Sequence, residues 1–115
     1  EIIAYTAAMR QARHRELPAC PAAAALRVFG DAWTLFIIDA LGSGSKRFSE
    51  LERAIPDICP VTLSGRLRKL EKLGFVKREE KTLDKLSVSY SLTTQGADML
   101  PIIKNMRAYA EKHLS

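Results

Sequence analysis

One stretch constrains the chain more than any other: Arg47 to Phe75, reading RFSELERAIPDICPVTLSGRLRKLEKLGF. Its apolar residues predict two short helices joined by a tight turn. In the first, Phe48, Leu51, Ala54 and Ile55 fall on one face at spacings of three and four. In the second, Leu63, Leu67 and Leu70 do the same, with Pro56, Asp57 and Ile58 in the turn and Pro60 where the new helix starts. That register leaves Thr62, Ser64, Gly65, Arg68, Lys69 and Lys72 turned away from the core side. A basic second helix after a tight turn is the layout of a helix-turn-helix, whose second helix enters a DNA groove.

The remainder of the chain fits around that pair. Residues 1–19 predict a helical arm, with Ile2, Ile3, Tyr5 and Met9 apolar near its start and Pro18 as its end. Cys20-Pro21 opens another helix, Cys20 near the N-cap and Pro21 at the favoured first position. Gly30 ends it. Asp31 caps the next helix, Ala32 to Leu41, whose residues Trp33, Leu35, Phe36, Ile37, Ile38 and Leu41 make it apolar on almost every side, as a central core helix is. Ser49 and Glu52 have the spacing of a capping box for the first motif helix. After Gly74 the period changes from about 3.6 to 2. Phe75-Val76 leads one strand, and Leu86, Val88, Tyr90 and Leu92 alternate with serines in another. The two strands, joined around Thr82 to Lys85, predict a β-hairpin placed as a wing. A last helix, capped by Thr93 or Thr94 and running to about His113, contains Pro101, which should kink or divide it. The expected fold is α+β and mostly helical: a winged helix-turn-helix with extra helices at both ends.

Charge and size restrict the function. With 115 residues the chain is one domain, small for a deep catalytic cleft. The net charge of +5 is moderate, but Arg66, Arg68, Lys69, Lys72, Lys77, Arg78, Lys81 and Lys85 are concentrated in the second motif helix and the hairpin. No apolar run reaches membrane-spanning length and no secretory leader is visible, so a cytoplasmic protein is expected. Two cysteines without ligand spacing predict neither a zinc site nor a disulfide framework, and no cofactor is expected. His14 and His113 have no partner at metal or triad spacing. No nucleophile–base pair or phosphate-cradling loop is present, so enzymatic activity is not expected.

Cys20-Pro21, Ala25-Leu26, Gly30, Trp33-Thr34-Leu35, Arg47-Phe48-Ser49-Glu50-Leu51, Leu63-Ser64, Arg66-Leu67, Leu70-Glu71, Leu73-Gly74-Phe75-Val76, Tyr90-Ser91-Leu92-Thr93 and Gly96 follow one another in a set order and spacing. Together they resemble the HxlR-type transcriptional regulators, winged-helix proteins related in design to MarR-type regulators. The resemblance spans roughly residues 20 to 113. It implies a dimer built by helices from both chain ends, each subunit reading one half-site. The chain departs from the family at Gly30-Asp31-Ala32-Trp33, where Gly-Gly-Lys-Trp is usual, at Cys59, which replaces a small polar residue, and at Ser89, where Glu is frequent. The wing also lacks the common proline pair.

Site residues follow from residue type. Thr62, Ser64 and Gly65 are expected at base edges, Gly65 allowing close approach. Arg66 and Arg68 suit guanine, Lys69 and Lys72 suit phosphate, Arg47 and Ser49 suit the backbone from the helix start, and Lys81 and Lys85 suit the backbone or minor groove from the wing. Solvated charge is the alternative for each of these cations. Met99, Ile102, Ile103, Met106 and Tyr109 give the last helix an apolar face for homodimerisation. Cys20 and Cys59 both precede proline at a helix N-terminus, where the dipole favours a thiolate. Some members of the resembled family sense electrophiles or oxidants at the Cys-Pro position, which points at Cys20, and burial as a small apolar residue is the alternative for both. Trp33 suits a core position or the wall of an apolar effector cavity. The expected partners are double-stranded DNA, a second copy of the chain, and a small electrophile or apolar effector. A sensor with protein–protein output is the competing function.

Overall fold

The computed structural model describes residues 20–80 and 87–114. The expected N-terminal arm, residues 1–19, and the wing tip carrying Lys81 and Lys85 lie outside the described residues. The elements in chain order are α1 (Pro21–Phe29), α2 (Ala32–Leu41), β1 (Lys46–Arg47), α3 (Phe48–Ala54), α4 (Pro60–Lys72), β2 (Val76–Glu80), β3 (Val88–Leu92), α5 (Thr94–Ala97) and α6 (Leu100–His113). The α+β, mostly helical winged fold expected from the sequence is present.

The helix starts follow from local chemistry. Cys20 Sγ accepts from the Ala23 N–H at 3.4 Å at the head of α1, and Asp31 Oδ2 accepts from the Thr34 N–H at 3.0 Å at the head of α2. At α3 the expectation is corrected. Phe48 is the first helical residue and Arg47 the N-cap, so Ser49 lies inside the first turn. The carboxylate that reaches back is that of Glu50, accepting from the Arg47 N–H at 2.7 Å. The box therefore sits two residues earlier than the Ser49–Glu52 spacing proposed.

Between α3 and α4, Asp57 adopts a positive φ of 67°, which an acidic residue tolerates better than a bulky one. This tight turn swings Ile58 inward, where it is buried with the core. Ala54, expected on the inner face, is exposed instead. The core itself is Ile37, Ile38 and Leu41 of α2, Leu51 of α3, Leu63, Leu67 and Leu70 of α4, Ile55 and Ile58 of the turn, Val76 of β2 and Ile103 of α6. Trp33 is half-buried and packs against this cluster, as a core residue.

The sheet has the order β1-β3-β2, all antiparallel. The hairpin pairs Val76 with Leu92 and Glu80 with Val88. The two-residue β1, absent from the sequence reading, pairs Lys46 with Tyr90 and Arg47 with Ser89. It joins the wing to the entrance of the helix-turn-helix.

Pro101 divides the C-terminal segment, as expected: α5 ends at Ala97 and α6 begins at Leu100, with the proline in its first turn. Thr93 caps α5, its Oγ1 accepting from the Gly96 N–H at 3.0 Å and donating to the Gly74 carbonyl at 2.7 Å. Arg107 of α6 reaches Asp39 of α2 at 3.0 Å.

Candidate nucleic-acid interface

The second motif helix, α4, is held from one side only. Leu63, Leu67 and Leu70 are essentially inaccessible and fix its inner face. Pro60 starts it with a backbone angle already suited to helix. Gly74, at φ 88°, ends it in a Schellman turn. There the Phe75 N–H donates to the Leu70 carbonyl at 2.9 Å and the Gly74 N–H to the Glu71 carbonyl at 3.1 Å. Both ends and the inner face are thus fixed, and the outer face is open to a partner.

On that outer face Val61, Gly65, Arg68 and Lys72 follow one another at helical spacing, with Lys69 alongside. Arg68, Lys69 and Lys72 are exposed, and the Arg68 Nη2 donates to the Ser64 Oγ at 3.1 Å. Thr62 and Ser64 flank the stripe, half-buried. Gly65 has no intramolecular reason to be glycine: a Cβ there would meet no atom within 4 Å. Glycine inside a helix costs about 1 kcal/mol relative to alanine.

Arg66 does not join the stripe as expected. Its Nε donates to Asp31 Oδ2 at 2.7 Å and its Nη2 to Oδ1 at 3.2 Å. The guanidinium is therefore occupied by the N-cap of α2 instead of being free for guanine. The Arg66 hydrogen bond, working against desolvation and helped by Thr34, holds Asp31 down to about 2 from an ordinary 3.8. The Arg66 pKa is raised in turn by the same hydrogen bond. The departure at Asp31 thus brings a carboxylate to the flank of α4.

Arg47 is exposed at the junction of β1 and α3. Ser49 is exposed in the first turn of α3, and Lys77 and Arg78 are exposed on β2. The sequence reading missed Val61, which leaves 80% of its surface exposed. The signal was available, since Val61 lies four residues before Gly65 and so on its stripe.

Both cysteines are exposed free thiols. Cys59 is the N-cap of α4, and its Sγ lies 3.3 Å from the Thr62 Oγ1. The Thr62 hydroxyl, then the Thr62 backbone N–H, lowers the Cys59 pKa below its ordinary 9.0.

The apolar face of the C-terminal helix divides in two. Ile103 turns into the protomer's own core and Met99 packs against it, which corrects the expectation that Ile103 lies at the dimer contact. Ile102, Met106 and Tyr109, at 49%, 50% and 61% exposure, form a separate outward row. A shallow cleft of about 290 Å³ lies between α2 and the α3–α4 turn, floored by Phe36, Ala40 and Ile55. At its rim Asp39 is engaged by Arg107 and Lys46 by Ser43. Among the described residues, no helix is long and apolar enough to cross a membrane, and no cluster of metal-ligating side chains occurs.

A helical core, a hairpin wing and an outward basic helix together define a winged helix-turn-helix DNA-binding protein. Residues 28–115 match the model of the HxlR-like helix-turn-helix family. The chain belongs to that family, and its relatives are transcriptional regulators. It is 36% identical over 86 residues to the uncharacterized HTH-type transcriptional regulator YvaP of Bacillus subtilis, covering 75% of this chain and 80% of YvaP. The structure is similar to the reduced form of the transcriptional regulator YodB from B. subtilis, with a TM-score of 0.74 and 31% identity over 85% of this chain and 97% of YodB. A protein of Porphyromonas gingivalis assigned to the MarR family superposes with a TM-score of 0.79 at 32% identity, covering 89% of this chain and all (100%) of that one.

Proposed function

We infer that the chain acts as a homodimer on a near-palindromic operator, residues 20–115 forming the DNA-binding domain and residues 93–113 the dimerisation segment. The observation that carries this reading is the outer face of α4. It is fixed at both ends and along its inner side, yet presents Arg68, Lys69 and Lys72 to solvent. A duplex takes up such a helix in its major groove, with Lys69 and Lys72 on phosphate and Arg68, Thr62 and Ser64 near base edges. Arg47, Ser49 and the wing lysines Lys81 and Lys85 meet the flanking backbone. The outward row of Ile102, Met106 and Tyr109 packs on a second copy, which sets half-sites about one helical turn apart. This role places the protein with the DNA in the cytoplasm, where both thiols stay reduced. The test is a binding titration over a salt series. A selected operator should bind at least about a hundredfold more tightly than random duplex, and equal binding would overturn sequence-specific reading.

A second reading concerns regulation by a small electrophile or oxidant. It is favoured by Cys59, an exposed thiol of lowered pKa at the head of α4. It is also favoured by the similarity to YodB, whose structures include quinone-bound and diamide-treated forms. An adduct on Cys59 would stand where α4 approaches DNA and release it, and Cys20 heads α1 as the second candidate. Diamide release of DNA that persists in both Cys20→Ser and Cys59→Ser, and in the double variant, would exclude both thiols.

A further inference from the structure

Two residues on the outer stripe of α4 break rules that the rest of the helix obeys. Val61 is the most exposed of the large apolar side chains among the described residues. A β-branched apolar group there buries little area within the fold and is stiff at its first torsion, so the helix gains little from it. Gly65, one turn on, weakens the helix although neither packing nor backbone geometry calls for a glycine. An added Cβ meets no atom within 4 Å, and its φ is not among the positive ones, which belong to Gly44 and Gly74. One residue is too apolar for water and the other too small for the helix, and both face the same way. Local violations without an internal reason point to an external partner.

We propose that Val61 and Gly65 form a notch that reads the 5-methyl group of a thymine in the major groove. This rests on the DNA-binding reading of α4. Among the groups by which the major groove distinguishes the bases, that methyl is the one bulky apolar group; the rest are hydrogen-bond donors or acceptors, apart from the small C5–H of cytosine. Valine offers neither donor nor acceptor, so a polar edge opposite Val61 would lose water without compensation. A thymine methyl instead gains an apolar contact. The absent side chain at Gly65 lets the α4 backbone approach closely enough for it. Val61 is the second residue of α4, in the turn from which such helices reach base edges. Further along the stripe Arg68 and Lys72 are basic and exposed, which selects a polyanion over an apolar protein surface as the occupant.

The test uses the full chain and an operator selected from a random duplex pool, each thymine of the half-site being replaced in turn by deoxyuridine. Deoxyuridine pairs identically and lacks only the methyl. One such replacement should weaken binding by about three- to fivefold, the worth of burying one methyl group. The variant Val61→Ser, which puts a hydroxyl where the apolar contact stood, should bind the thymine and deoxyuridine operators equally. Gly65→Ala should unfold at higher denaturant yet bind the operator at least about tenfold more weakly, a combination that a purely structural glycine cannot produce. If every deoxyuridine operator binds like its parent, or Val61→Ser keeps the thymine preference, the notch is refuted while DNA reading stands. If the pool yields no preferred sequence, DNA reading fails and the notch fails with it.

Discussion

Asp31 grips Arg66 with both carboxylate oxygens, at 2.7 and 3.2 Å, across 35 residues of sequence. The same carboxylate caps α2 through the Thr34 N–H and hydroxyl. One side chain therefore fixes the start of the central helix and the flank of the reading helix together. Asp31→Asn keeps a capping oxygen but removes the charge, and should lower stability by about 1 kcal/mol, a partly exposed pair being screened by solvent. Asp31→Ala should cost about 1 kcal/mol more through the lost cap. Urea titrations of the three proteins check both values.

The pH dependence of that pair has a definite direction. Folding lowers the Asp31 pKa from 3.8 to about 2, so the contribution is complete above 3.8 and disappears as pH falls through about 2. The stability gap between wild type and Asp31→Asn should be flat at neutral pH and should close only in that acid window. A gap that varied near neutral pH would mean that another group titrates against the pair.

Salt dependence separates the basic residues of α4. Lys69→Ala and Lys72→Ala should each reduce the slope of log affinity against log salt by about 1, the share of one phosphate contact. Arg66→Ala should leave the slope unchanged, because its charge is already balanced by Asp31. Equal slopes for all three variants would place the DNA elsewhere.

Neighbouring residues of α6 should behave in opposite ways. Met106→Glu and Tyr109→Glu alter the exposed row and should give folded monomers by sedimentation. Ile103→Ala empties a core position and should cost about 2–4 kcal/mol of stability in whatever assembly remains.

Cys59 should react faster with a maleimide than a free thiol of ordinary pKa at neutral pH, and Thr62→Val should slow it, since the Thr62 hydroxyl favours its thiolate. Mass spectrometry of the alkylated peptide gives the rate, and operator DNA should protect the thiol.

The elements whose causes are local were legible in the sequence. Proline at the heads of α1 and α4, the caps Cys20, Asp31 and Thr93, the stop at Gly74 and the division at Pro101 all act within a few residues. What escaped depends on distant partners. Strand β1 is two residues whose extended form comes from pairing with Ser89 and Tyr90. The capture of Arg66 requires a carboxylate on another helix. Ile103 and Ile102 are adjacent and equally apolar, and only the packing of α6 on α2 decides which one turns inward. Ile58 lies in the turn as its position predicts, but its burial has no periodic signature, because the left-handed Asp57 redirects it.

Thr93 ties the end of α4 to the start of the C-terminal segment. Its hydroxyl touches Gly74, where the reading helix ends, and its oxygen starts α5, which leads to the outward row of α6. Its N–H also bonds the Phe75 carbonyl at 3.1 Å. In a dimer joined through α6, this one residue is the pivot of a pair of callipers: the gap between the two tips is set at the joint. Altering that joint should change which operator spacing fits while leaving the bases read by each tip the same.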